Sequence, residues 1–163
     1  MRDFSQRKDP LYRLEWYRAT GNWSKAEDDP DDDVRLIAFM HTGNWSKAEN
    51  DPSADTRRIA FKKTGNWLKA ENDEAARTRL EAYYHTGNWS KAEDDEDPDI
   101  RLEAYRHTGN WVKAQNDVDS YIKDEAEKAL EVKRLLKTHT IIIDGKEIEI
   151  SKESFEALKK QLT

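Results

Sequence analysis

The side chains best equipped for chemistry in this chain are carboxylates and imidazoles. Two acidic runs stand out, Glu27 to Asp33 and Glu93 to Asp99. Asp29, Asp31 and Asp33, and again Asp95, Asp97 and Asp99, have the alternation that opens a calcium loop. Neither run has the glycine at the sixth place or the closing bidentate Glu that such a loop needs. A second reading is mimicry of DNA phosphates. Residues 20–120 hold 22 acidic and 14 basic side chains, so this stretch carries the negative field. The reading that weighs most is structural: Asp before a helix caps its first N–H groups and suits the positive end of its dipole.

His41, His85 and His107 share one recurring position. Packed helices lie about 8–10 Å apart, too far for neighbouring copies to share one metal easily, and no cysteine or suitably spaced carboxylate stands beside them. A lysine row (Lys25, Lys47, Lys69, Lys91, Lys113) could bind anions, but reads first as solvated cations offsetting nearby acids. No Ser/His/Asp grouping, glycine-rich phosphate loop or paired-carboxylate motif is present in the sequence. We therefore expect no catalytic residues, no metal and no cofactor, and a chain that is not an enzyme.

The elements that must position these residues repeat. Thr-Gly-Asn-Trp occurs five times, beginning at Thr20, Thr42, Thr64, Thr86 and Thr108, always 22 residues apart. Such a period marks a solenoid, in which each unit buries its apolar side against its neighbours. In each unit the Gly should end a long helix by taking the left-handed conformation. Asn22 and its copies should cap a short helix of about one and a half turns, partly 3₁₀. Asp9 as N-cap and Pro10 at the first helical position start the first long helix.

At 100° per residue one broad arc of the long helix is apolar, with Arg13, Arg35, Arg57, Arg79 and Arg101 in its middle. An inward Arg needs an acidic partner. The candidates are Asp29, Asp51, Asp73, Asp95 and Asp117, the first four standing six residues before an Arg. A buried Asp–Arg ladder is expected. Asp29 to Ala38, with its D-P-D-x-x-V-R-x-x-A pattern, resembles the start of a HEAT-type repeat, in which an Asp and an Arg six apart form such a ladder. The short period is also similar to leucine-rich repeat variant proteins, which alternate α and 3₁₀ helices. The likeness covers roughly residues 9 to 122. The chain departs from HEAT repeats in repeat length, and from both families in the Thr-Gly-Asn-Trp turn. The resemblance implies a right-handed helical solenoid and an interaction surface rather than a specific activity.

The ends differ. Trp16 replaces a small residue (Ala38, Ala60, Ala82, Ala104) and should cover the open first repeat. After the last repeat a helix over about Tyr121 to Lys137 should cap the stack through Ile122, Ala126, Ala129 and Leu136. Thr138 to Ile150 then reads as a hairpin around Asp144-Gly145. Ser151 caps a last helix with Phe155, Leu158 and Leu162 on one face. This block resembles a hairpin–helix ending of small phage and Gram-positive bacterial proteins. It is too small to stand alone, so it should dock in cis or pair with a second copy, a homodimer. The fold class is thus mostly α: a right-handed α-solenoid of five repeats with a capping helix and a small β-hairpin plus helix. The expected divisions are a polar lead-in with Phe4 (1–8), the solenoid (9–119), the capping helix (120–137) and the tail (138–163).

Three columns of the long helix fall outward and vary in chemistry: Glu15, Ile37, Ile59, Glu81, Glu103; Arg18, Met40, Lys62, Tyr84, Arg106; and Ala19, His41, Lys63, His85, His107. Structural positions must repeat and specificity positions need not. We therefore expect a protein partner to contact Ile37, Met40, His41, Ile59, Lys62, Lys63, Tyr84, His85, Arg106 and His107, with an apolar patch formed by Ile37, Met40 and Ile59 and extended by Tyr84. The Trp column reads as core. The alternative is a phage-type inhibitor of a nuclease or defence enzyme, acting through an acidic edge of Asp31, Asp32, Asp33, Glu96, Asp97 and Asp99. A net charge of −6 argues against direct binding to a nucleic-acid backbone. Cysteine is absent, and there is no apolar h-region before Pro10 and no apolar run long enough for a bilayer. A cytoplasmic location, in a bacterial or phage-infected cell, is the expectation.

Overall fold

The computed structural model of the chain describes residues 7–162, apart from the side chain of Leu162. Phe4 and most of the lead-in lie outside the described residues, as does the place of the Leu162 side chain on the last helix. The chain is mostly α-helical, and helix pairs recur at about 22 residues before a two-stranded hairpin and a final helix. Two compact units divide it, Met1–Asn88 and Trp89–Thr163. No helix among the described residues is long and apolar enough to cross a membrane.

The first unit alternates long and short helices: α1 (Pro10–Thr20), α2 (Trp23–Ala26), α3 (Asp32–Thr42), α4 (Trp45–Ala48), α5 (Ala54–Thr64), α6 (Trp67–Ala70) and α7 (Ala76–Thr86). Each long helix has 11 residues. The glycine that follows ends it. Gly43, at φ 71°, donates its N–H to the Phe39 carbonyl at 2.9 Å, a closure that side chains with a Cβ resist. The short helices have one α-helical turn. Bonds from Asn50 to Lys47 and from Asp51 to Ala48, three residues back, then tighten the chain into the acidic turn, which completes the expected one and a half turns.

Packing follows one formula. The alanine of each short helix is fully buried between the aromatic residue of the long helix before it and a small residue of the long helix after it. Phe39, Ala48 and Ala60 form one such cluster and Phe61, Ala70 and Ala82 the next, with Trp45 and Trp67 packed against them. At the first repeat Tyr17, Ala26, Val34 and Ala38 do the same, with Leu14, Trp16 and Trp23 alongside. Trp16 meets Tyr17 edge-on and carries Lys25 over its ring, so the larger first-repeat side chain does cover this cluster. Ala at both contact positions lets three backbones approach closely, and the bulk comes from one aromatic per unit.

The second unit holds α8 (Trp89–Ala92), α9 (Pro98–Thr108), α10 (Trp111–Ala114), α11 (Ser120–Thr138), strands β1 (Thr140–Ile143) and β2 (Lys146–Glu149), and α12 (Lys152–Leu162). Asp119 caps α11, accepting the N–H groups of Tyr121 and Ile122 at 2.9 and 3.2 Å. Ile122 and Ala126 of α11 close a cluster with Leu102, Tyr105 and Ala114. Ala129 is half-buried, but Leu136 is 45% exposed and does not face the last repeat. Nearly four turns separate it from Ile122, so it lies beyond the cluster that Ile122 and Ala126 close. β1 and β2 pair antiparallel, with Ile141 opposite Ile148 and Ile143 opposite Lys146. Asp144 (φ 48°) and Gly145 (φ 74°) make the two-residue turn that suits twisted strands.

Candidate interaction surface

Which side chains remain for a partner depends on which ones the joints between repeats consume. The first joint is the ladder. Arg35 donates from Nε and Nη2 to the two carboxylate oxygens of Asp51, each at 2.8 Å, a bidentate pair with both residues buried. Arg13–Asp29, Arg57–Asp73 and Arg101–Asp117 repeat it. The partner therefore stands 16 residues after the Arg, which corrects the expected spacing of six. The Asp six residues earlier contributes its carbonyl instead: Arg35 Nη1 donates to the oxygens of Asp29 and Pro30 at 2.9 and 3.2 Å. The reason is local. Each ladder Asp accepts the N–H two residues on, as Asp51 does from Ser53 at 2.8 Å. That turn aims its carboxylate away from the helix it precedes and back to the helix before.

Burial alone would push the carboxyls of Asp29, Asp51 and Asp73 up, but the hydrogen bonds and charge of Arg13, Arg35 and Arg57, with the turn N–H groups, hold them below the ordinary carboxylate range. For Asp117 the bond from Arg101 is the largest influence, and the direction is again down. The arginines are raised in turn, first by those same bonds.

The second joint was not anticipated. Asn44, Asn66 and Asn110 make no side-chain cap bond to the short helices they precede. Their Nδ2 atoms reach back 17 residues to a buried glutamate: Asn44 to Glu27 at 3.1 Å, Asn66 to Glu49 at 3.2 Å and Asn110 to Glu93 at 3.0 Å. Asn88 reaches Glu71 in the same way at 2.6 Å. Lysines of the expected solvated row hold the same carboxylates, with Lys47 3.2 Å from Glu27, Lys69 3.0 Å from Glu49 and Lys113 3.2 Å from Glu93. Burial would raise Glu49, yet Thr64, Lys69 and Asn66 bring it below its ordinary value. The signal was in the sequence: Glu27, Glu49, Glu71 and Glu93 are as regular as the Asp column. An exposed-looking W-x-K-A-E run hid it.

The third joint uses one of the outward columns. His41 lies flat on Trp23, His85 on Trp67 and His107 on Trp89, each with ring centroids 3.9 Å apart. Lys63 sits over Trp45 at 5.9 Å. These four residues remain exposed, but one face of each is spent on the tryptophan. Among the described residues no group of three or more His, Asp or Glu side chains gathers as a metal site would require.

The remaining expected contacts divide. Ile37 and Ile59 are half-buried, so the apolar patch is smaller than the helical wheel implied. In the same column Glu81 is taken by Lys62 at 2.6 Å and Arg58 at 3.7 Å. The middle column stays outward: Met40 is 61% and Tyr84 55% exposed, and Lys62 and Arg106 are exposed as well. Arg106 leans on Glu103 at 3.4 Å within its own helix.

The acidic edge also divides. Asp31 caps α3 through the Val34 N–H at 3.2 Å, and Asp97 caps α9 through Asp99 and Ile100. Asp32, Asp33, Glu96 and Asp99 are exposed. Beside the turns lie open clefts. One of about 890 Å³ is lined by Asp28, Asp32, Arg35, Lys47 and Asn50, among others, and one of about 660 Å³ in the next repeat by Asn50, Arg57, Lys69 and Asn72, among others. Compared with known proteins, the chain matches no family, no curated protein and no solved structure.

Proposed function

We propose that this chain is a non-enzymatic protein-binding scaffold whose units stack as a right-handed α-solenoid and present the outward column of the long helices to a protein partner. One observation carries the reading. Met40, Lys62, Tyr84 and Arg106 are exposed and chemically varied at a position in the second half of the long helices that none of the three repeated joints uses. A frame that repeats beside a column that does not is the division of labour expected of a recognition surface. His41, His85, His107 and Lys63 flank the column with their outer faces, and Ile37 and Ile59 floor it. The C-terminal tail would serve self-association.

The test is capture of partners by full-length protein carrying Met40→Glu and Tyr84→Glu. Both positions are exposed, so folding should stay within about 0.5 kcal/mol of the parent while capture fails. Unchanged capture would remove this column as the site.

The exposed first-turn carboxylates Asp32, Asp33 and Asp99 favour one second reading, a phage-type inhibitor that offers its acidic edge to a nucleic-acid-binding enzyme. It expects binding that weakens steeply with salt and is lost when Asp32, Asp33 and Asp99 become Asn.

A further inference from the structure

We propose that two copies of this chain join through the apolar face of the C-terminal tail, about a two-fold axis that sets the two α12 helices antiparallel. The inference is independent of what the repeat column binds.

The pairing register puts Ile141, Ile143 and Ile148 on one face of the hairpin, because opposed and alternate residues share a side. Just before β1, His139 is met edge-on by Phe155 of α12, with ring centroids 5.3 Å apart. Phe155 is buried there at 8% exposure. The cover stops at that end. Ile143 is 49%, Ile148 41% and Leu158 41% exposed. A two-stranded hairpin with one helix has too little core to hold itself in water, and half-open Ile143 and Ile148 are apolar surface that a second copy would cover.

Charge identifies the occupant as a second copy. α12 opens on Lys152, then carries Glu153 and Glu156 in its first half and Lys159 and Lys160 in its last turn, so its acids precede all but one of its bases. Set antiparallel to itself, this helix places acids opposite bases at both ends, and its dipole opposite its copy's. A uniformly acidic or basic partner would meet repulsion at one end. From Thr138 onward the chain holds four lysines against five acids, while the whole carries −6. The tail is thus close to neutral, so two copies meet there without the repulsion that the acidic repeats would bring. A two-fold contact of this kind closes on itself and stops at a dimer.

Light scattering on the full chain during size exclusion is expected to give twice the 19.1 kDa chain mass; a monomer at every concentration would overturn the proposal. Ile148→Lys with Leu158→Glu should give monomers with unchanged circular dichroism, since both sites are partly exposed. A dimer that survives these changes would place the interface elsewhere and overturn it equally. The decisive arm mixes two full-length variants, Lys159→Glu/Lys160→Glu and Glu153→Lys/Glu156→Lys. Each alone should dimerise about tenfold or more weakly, and together they should recover parental affinity as a mixed dimer. Failure of the mixture to recover would reject the antiparallel arrangement. None of these readouts depends on capture by the repeat column.

Discussion

Arg35 holds Asp51 with two 2.8 Å bonds and, with its third nitrogen, the carbonyl of Asp29, so a single guanidinium ties the acidic turn before its helix to the one after. Removing one member leaves the other buried and uncompensated. Asp51→Ala is expected to cost about 3 kcal/mol in urea unfolding, and Arg35→Met with Asp51→Leu far less than the sum of the two single changes. Additive losses would mean that the pair is not a coupled unit.

The pH dependence follows from the same carboxylates. Asp29, Asp51, Asp73, Asp117 and Glu49 are all held below their ordinary values in the folded chain. A depressed carboxyl stabilises the fold at pH above its unfolded value, and that contribution is lost as pH falls through the folded value. Urea midpoints should therefore hold from pH 7 to 5 and fall steeply below about pH 4. A large loss already between pH 7 and 5 would assign the dependence to other groups.

Asn44 separates two roles that give opposite results. As an N-cap it would be replaced by Asp without loss. As the donor to Glu27 it would not, since Asp brings a second carboxylate to a buried one. Asn44→Asp is expected to destabilise by about 2 kcal/mol, more than Asn44→Ala. Equal stability of Asn44→Asp and parent would restore the capping role.

The tryptophan stacks invite a gain rather than a loss. Lys63 occupies, over Trp45, the place that histidine takes over Trp23, Trp67 and Trp89. His85→Ala should cost about 1 kcal/mol. Lys63→His should be neutral or stabilising by a few tenths of a kcal/mol, read by thermal unfolding. A clear loss at Lys63→His would show that the ammonium over Trp45 does more than the ring would.

The helices, their glycine ends and the inward arginines were legible in the sequence because each depends on neighbours within one turn or on a strict 22-residue period. Partners at longer reach were not. Asp51 stands both six residues from Arg57 and 16 from Arg35, and periodicity alone cannot choose between two columns that repeat together. The Asx-type turn at Ser53 decides it, and only coordinates reveal which way that carboxylate is aimed. Asn66 and Glu49 escaped for the same reason, and capping offered Asn66 a plausible nearer role. His41 was placed outward correctly, but a wheel of one helix has no knowledge of the tryptophan rising from the repeat before. Ile37 and Ile59 sit at the edge of the apolar arc, where the wheel assigns a side and the neighbouring helix takes half the surface.

Every joint described here spans a fixed count of residues: 16 from Arg to Asp, 17 from Glu to Asn, 18 from Trp to His. Each count crosses a single boundary between one unit and the next. A duplication or loss of one whole 22-residue unit therefore leaves every surviving joint with a correct partner, whereas one extra residue in a turn misaligns all three at that boundary. The gene for such a chain is free to change length in whole units and is held rigid within them.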